Sequence, residues 1–312
     1  MSDVKIATRD SYGKALLALC QEHENVVVLD ADLAESTKSG VVRKAMPERF
    51  YDCGIAEGNM IAVSAGMSTT GLVPFASSFA MFATGRAFEQ IRNAIGYPHL
   101  NVKICASHAG VSVGEDGATH QCLEDIALMR TIPGMVVMCP SDDVETRACV
   151  KAAYEHEGPV YIRTGRLAVP VFHEENYEFR IGKGEMLHEG NDITIVATGL
   201  MVKEAMDAAK ILEEKGIGCR VINICTIKPL DVDIIVKAAK ETGKIVTAEE
   251  HNIIGGLGEA VCSALAENYP AKVRRVGTMD EFGTSGPAAA VLERYGLTAK
   301  NLVIVCEEML ES

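Results

Sequence analysis

Short, mostly apolar runs recur along this chain with room for one helix between neighbours. Residues 25–29, 73–76, 102–106, 135–139 and 160–163 form a first series. Residues 193–197, 219–225, 244–248 and 273–276 form a second. Runs of this length without polar alternation read as strands buried on both faces. Between them lie stretches with helical spacing, as in 8–23, where Ala15, Leu16, Leu19 and Cys20 share one face. Further helices are expected at 57–70, 80–96, 122–131 and 142–156, the last entered through Ser141-Asp142-Asp143, residue types that cap helices. A short strand is expected at 50–53. Strands alternating with helices give an α/β fold with a parallel sheet and helices on both faces.

The pattern lapses once. Residues 165–190 contain Pro170, Gly182, Gly184 and Gly190 and show no period. They divide the chain into domains at 1–168 and 191–312, with a linker over 169–190, and a length of 312 residues suits two domains. In the second domain, helices are expected at 202–215, 231–240, 286–295 and 298–310. Gly255-Gly256-Leu257-Gly258 lies between a strand and a helix that runs to about 267. The turn is either part of a dinucleotide fingerprint or a close helix packing. It lacks the full glycine spacing, and no acid ends the next strand.

Charge and cysteine usage narrow the function. A net charge of −13 argues against nucleic acid and anionic membrane as partners, though not against a small anion held in a local basic pocket. Ten cysteines are scattered without a CxxC pair, which fits buried reduced thiols and a cytoplasmic location. The first residues, MSDVKIATRD, contain no apolar signal core. Residues 58–85 carry no charge, but four glycines and Pro74 interrupt them, so a buried helix–strand–helix passage is expected rather than a membrane span.

The stretch 105–122 concentrates the candidate chemistry. A buried strand leads into Cys105-Ala-Ser-His108-Ala-Gly110-Val-Ser-Val-Gly114-Glu115-Asp116-Gly117-Ala-Thr-His120-Gln121-Cys122. Loops at the carboxyl ends of parallel strands are where such folds bind ligands. Glycines allow close backbone approach, and imidazoles beside carboxylates can orient hydroxyls and carry protons. A polar surface loop with two incidental histidines is the competing reading. Glu57 opens a helix directly after a strand, where the helix dipole favours a carboxylate. Such a glutamate is also common for structural reasons alone. Phe79 and Phe82 share a helical face and read first as core.

GEDGATHQ, residues 114–121, preceded by His108, resembles the substrate loop of transketolases. Other segments match in the same order: Ala31-Asp32-Leu33, Ser36, Asp52 to Met60 around Glu57, and Phe79 with Phe82. The likeness covers nearly the whole chain but only the C-terminal half of a usual transketolase. It implies a pyrimidine-binding, thiamine diphosphate-binding domain followed by a transketolase C-terminal domain. It implies that Glu57 hydrogen-bonds the aminopyrimidine ring of thiamine diphosphate and starts proton removal from the thiazolium carbon, with Asp32, Leu33, Phe79 and Phe82 lining the cofactor site. By the same resemblance Arg9, Ser36, His108 and Arg163 hold a substrate phosphate. Asp116, His108 and His120 contact the sugar hydroxyls and reacting oxygens, and Glu57, His108 and His120 are the catalytic set.

Two departures stand out: Gly58 where many transketolases have Gln, and Gly85 where a third aromatic is usual. No GDG followed by Asn is present to hold Mg2+ and the diphosphate, so no metal ligand is assigned here and an N-terminal transketolase subunit is expected to supply them. The resulting expectation is the C-terminal subunit of a split transketolase of the pentose phosphate pathway. It would work in an α2β2 heterotetramer and move a two-carbon ketol unit from a ketose phosphate to an aldose phosphate. The alternatives are half of a 1-deoxyxylulose-5-phosphate synthase, the beta subunit of a 2-oxoacid dehydrogenase, and a non-catalytic regulatory paralogue.

Overall fold

The runs that lack polar alternation become strands with no wet face: every residue of 26–30, 73–79, 103–107 and 160–163 is buried. The structure is a computed structural model describing residues 4–311. Its strands are β1 Lys5–Ala7, β2 Val26–Asp30, β3 Phe50–Asp52, β4 Val73–Phe79, β5 Lys103–Ser107, β6 Val136–Met138, β7 Val160–Arg163, β8 Ala168–Pro170, β9 Glu185–His188, β10 Ile193–Ala197, β11 Cys219–Asn223, β12 Thr226–Lys228, β13 Lys244–Asn252 and β14 Lys272–Thr278.

A seven-stranded sheet runs β12-β6-β7-β5-β4-β2-β3, and all its pairings are parallel except that of β12. A five-stranded sheet runs β14-β13-β10-β11-β9, parallel except for the edge strand β9. β1 and β8 form a separate antiparallel pair. Helices Thr8–Glu22, Glu57–Ser68, Asp125–Thr131 and Asp143–Glu155 belong to the first unit. Helices Met201–Glu214, Val232–Thr242, Leu257–Asn268 and Ala299–Glu311 belong to the second. The α/β class with two parallel-dominated sheets is thus the observed fold. No helix among the described residues is long and apolar enough to cross a membrane.

Four local features differ from the sequence expectation or resolve it. The run 219–225 is not one strand. β11 ends at Asn223, and after two residues β12 crosses to pair with β6 of the first sheet, Thr226 opposite Met138. The crossing covers a sheet edge that would otherwise present unpaired backbone groups.

Residues 80–96 are not a single α-helix. Two π-helical segments, Met81–Arg86 and Ile91–Gly96, flank a short α-helical turn, Phe88–Gln90. Wide turns of this kind are rare and cluster at functional sites.

The glycine turn proves to be packing. The buried Glu249 carboxylate accepts the N–H groups of Leu257 at 2.7 Å and Gly258 at 2.8 Å. It fills the helix N-terminus at which a dinucleotide phosphate would sit. The expected cap at 142 is present: the Asp142 side chain accepts the Glu145 N–H at 2.9 Å.

Candidate functional site

Four parallel strands deliver the candidate residues from their carboxyl ends. β2 leads into Asp30–Ser36, β4 ends at Phe79, β5 ends at Ser107 before His108, and β7 precedes Arg166. Glu57 stands at the first position of its helix and is buried.

Around Glu57 the site is aromatic. Phe79 and Phe82 stack with ring centroids 5.7 Å apart. His108 stacks on Phe79 at 3.8 Å, and His120 meets Phe82 edge-on at 5.3 Å. The Arg86 guanidinium lies over the Phe82 ring at 4.1 Å and donates from Nη1 to Glu57 Oε1 at 3.1 Å. Both departures from the family pattern are filled from within the chain. The Gln90 side chain lies 3.3 Å from where a Cβ on Gly58 would stand, so a glutamine amide reaches this point from another turn. The Met81 methyl fills the space beside Gly85, and a side chain there would have to displace it.

Beside the aromatic wall is a cationic corner. Arg9 Nη1 donates to the Ser36 carbonyl at 3.0 Å and lies 3.1 Å from His108 Nε2. Arginine can only donate, so His108 Nε2 accepts, and its Nδ1–H is left to bond the Ser107 hydroxyl at 2.9 Å. Burial, then the charges of Arg9, Arg166, His120 and Lys38, push the His108 imidazolium down to about 3. His108 is therefore a neutral ring whose tautomer is set by Arg9. It holds φ +57°, a left-handed conformation that is rare for a residue with a side chain. Arg9 is lowered in turn by burial, with Asp10 opposing and Arg166 adding to the shift. This mutual cationic repulsion is what an anion would relieve.

Arg163, expected among the phosphate ligands, is not in this corner. It is buried, donates from Nε to Asp125 Oδ2 at 2.8 Å and from Nη2 to the Glu250 carbonyl at 2.8 Å. Residues alternate across a strand, so Arg163 shares a face with Tyr161, whose hydroxyl also donates to Asp125 Oδ2, at 2.7 Å. Arg166, in the loop three residues on, takes the outward place. It donates to the Val113 carbonyl at 2.5 Å and to Glu115 Oε2 at 3.1 Å, beside the central loop. Lys38, 3.3 Å from Asp10, is the other cation the sequence reading missed. Position past the end of a parallel strand was the signal that would have found Arg166.

The remaining candidates are placed as follows. Asp32 is exposed with φ +61°, and its N–H meets Asp52 Oδ1 at 3.1 Å. The Leu33 N–H is held by Asp30 Oδ1 at 2.6 Å, and Asp30 also accepts from Thr37 and Ser39. Ser36 offers Arg9 its carbonyl. Asp116 is exposed on the loop, and half-buried His120 engages the Thr119 hydroxyl through Nδ1 at 2.9 Å. The second unit props this loop. Glu250 accepts the Ser112 N–H, and Gln121 donates to the carbonyls of Val111 at 3.0 Å and Thr284 at 2.9 Å.

Comparison with known proteins agrees with this architecture. Residues 4–171 match the transketolase pyrimidine-binding domain and residues 182–302 the transketolase C-terminal domain. A Methanocaldococcus jannaschii protein assigned as a transketolase C-terminal section is 49% identical over 99% of this chain and 98% of its own length. A Clostridium 6-deoxy-6-sulfo-D-fructose transketolase subunit is 43% identical over 97% of this chain and 94% of its length. A solved split gene transketolase, described as an inactive beta4 tetramer, superposes with a TM-score of 0.90 at 52% identity, covering 99% of both chains. The chain therefore belongs to the transketolase family of thiamine diphosphate-dependent enzymes, and it carries that family's pyrimidine-binding domain followed by its C-terminal domain.

Proposed function

We propose that this chain is the C-terminal subunit of a split transketolase that transfers a two-carbon ketol unit from a ketose phosphate to an aldose phosphate. The observation that carries the reading is the buried Glu57, bridged by Arg86 to the Phe82 face of the Phe79, Phe82, His108 and His120 cluster, with the Arg9, Arg166 and Lys38 corner adjoining.

When bound, thiamine diphosphate supplies the carbon acid and electron sink for the reaction. Glu57 would hold the ring nitrogen, and Phe82 would give the ring an apolar face. Asp32 and Leu33, on the segment after β2, would line the cofactor at the boundary with a second subunit. Neutral His108, engaged by Arg9 at Nε2 and by Ser107 at Nδ1, positions Arg9 toward the sugar rather than protonating a sugar oxygen. His120, with Nδ1 engaged by Thr119, exchanges protons with a substrate hydroxyl through Nε2. Asp116 binds a hydroxyl of the donor. Arg9, Arg166 and Lys38 hold the charged end of the sugar, near the Ser36 segment.

The chain supplies one half of the site. In this reading Mg2+ and the diphosphate are held by an N-terminal subunit, in an α2β2 assembly in the cytoplasm, with the pentose phosphate pathway as its setting. The name of the split gene transketolase, an inactive tetramer of beta chains, supports dependence on a second chain. A guanidinium fork binds phosphate and sulfonate alike, and the Clostridium relative is named for a sulfonated sugar. A sulfonated ketose is therefore the second donor class.

The test is steady-state ketol transfer by this chain assembled with its N-terminal partner, cofactor and Mg2+. Phosphorylated, sulfonated and uncharged ketoses are compared. The reading expects kcat/KM for an anionic donor to exceed that for the uncharged one by about 10²-fold or more, the effect of losing a charge-assisted pair. Equal values, or no transfer from any ketose, would remove it.

A further inference from the structure

Glu57 and Arg86 are unequally free to move. The Glu57 side chain is 6% exposed and fixed at a helix start, whereas Arg86 is 54% exposed at the end of the π-helical segment Met81–Arg86. The pair is joined at 3.1 Å while the same guanidinium lies 4.1 Å above the Phe82 ring. A flat group with N–H donors thus sits on an aromatic face and points a nitrogen at a buried carboxylate. Those are the two contacts that the reading above gives to the aminopyrimidine ring, with Glu57 and with Phe82. Two flat groups cannot share one carboxylate oxygen and one ring face.

We propose that Arg86 is a placeholder for the cofactor ring. It occupies the slot between Glu57 and Phe82 in the free chain and swings into solvent when the ring enters. A buried carboxylate without a partner is costly, and Arg86 removes that cost until the ring arrives. The exit is open because more than half of the arginine side chain already faces solvent, and a rotamer change breaks both contacts. Arg86 competes with the cofactor for one place, so it lowers the affinity and slows the entry of the ring. The inference rests on the proposed thiamine diphosphate site.

The experiment uses the complete assembly with the N-terminal partner and the variants Arg86→Ala, Arg86→Lys and Arg86→Gln. Cofactor affinity is measured by calorimetry with Mg2+, the rate of uptake by near-ultraviolet circular dichroism, and the melting temperature on the 312-residue chain alone. Arg86→Ala is expected to bind the cofactor about tenfold tighter, about 1.4 kcal/mol, and to take it up faster. The free Arg86→Ala chain is expected to melt lower, because Glu57 loses its partner. Arg86→Lys keeps the charge but not the flat face, so it falls between wild type and Arg86→Ala. Arg86→Gln is neutral and too short to span from Phe82 to Glu57, so it supplies the same comparison if Arg86→Ala fails to fold.

Unchanged or weaker cofactor binding in Arg86→Ala or Arg86→Gln, with wild type binding normally, would overturn the placeholder and make Arg86 part of the occupied site. Failure of the underlying reading looks different: the wild-type assembly itself takes up no cofactor, which overturns both.

Discussion

Glu250 Oε1, on β13 of the second sheet, accepts the backbone N–H of Ser112 at 2.6 Å, at the base of the glycine-rich loop of the first. The C-terminal domain thus holds the segment that carries Asp116 and His120. The fit is close: Gly110, at φ +81°, faces the Glu250 carboxylate with no room for a side chain. Burial raises the Glu250 carboxyl above the usual range, opposed by Arg163 and by the bonds from Ser112.

Glu250→Ala leaves the Ser112 N–H buried and unpaired, which costs about 1–3 kcal/mol of stability. It also loosens the loop, so KM for the sugar rises more than kcat falls. Glu250→Gln keeps an acceptor oxygen and has the smaller effect on both. Thermal melting and steady-state kinetics on the assembled enzyme check this.

Arg163 and Arg166 separate structure from binding. Arg163→Ala strands Asp125 as a buried charge and is expected to destabilise the chain by about 3–5 kcal/mol. Arg166→Ala leaves the melting temperature within a few degrees of wild type but raises KM for phosphorylated donors far more than for uncharged ones. The opposite pattern would return Arg163 to the anion site.

The contrast between these two arginines shows what the sequence made legible and what it did not. Strand and helix alternation, the two sheets and the loop 105–122 followed from apolar runs and their spacing, because burial on both faces leaves a plain compositional mark. Arg163 was misplaced because a family match gives the neighbourhood of a residue, while the strand face is decided by packing against Asp125 and Tyr161. The crossing of β12 to β6 was hidden because a run such as 219–225 looks the same whether it serves one sheet or two. The π-helical turns of 81–96 carry no period of their own. The neutrality of His108 depends first on its burial and then on the charges of Arg9, Arg166, His120 and Lys38, which arrive from distant segments.

His173 gives the fold a pH dependence. Its Nε2 lies 2.9 Å from Glu185 Oε2, and its Nδ1 lies 3.0 Å from Asp142 Oδ1. Burial works against the charge, but the Asp142 and Glu185 carboxylates outweigh it and raise the imidazolium to about 10. An unfolded histidine loses its proton near pH 6.5. The clamp therefore contributes fully below that pH, and its contribution is lost as pH rises through about 10. Denaturant unfolding of wild type should lose up to about 1.4 kcal/mol per pH unit across that window relative to His173→Gln. Parallel pH profiles for the two proteins would contradict the assignment.

Glu57→Gln in the assembled enzyme is expected to lower kcat by about 10²–10⁴-fold, the range for a group that governs proton transfer. The melting temperature should change little, because Arg86 can still donate to the amide oxygen. Turnover near that of wild type would take Glu57 out of the mechanism.

The central claim is that this chain holds half of a thiamine diphosphate site. A charged diphosphate needs a metal ion and donors to neutralise it. The most direct measurement is calorimetric titration of thiamine diphosphate with Mg2+ into the purified chain, then into the chain with its N-terminal partner, with ketol transfer assayed on both samples. The account predicts weak binding and no transfer by the chain alone, and tight binding with transfer once the partner is present. Tight binding and unaided ketol transfer by the 312-residue chain would contradict it.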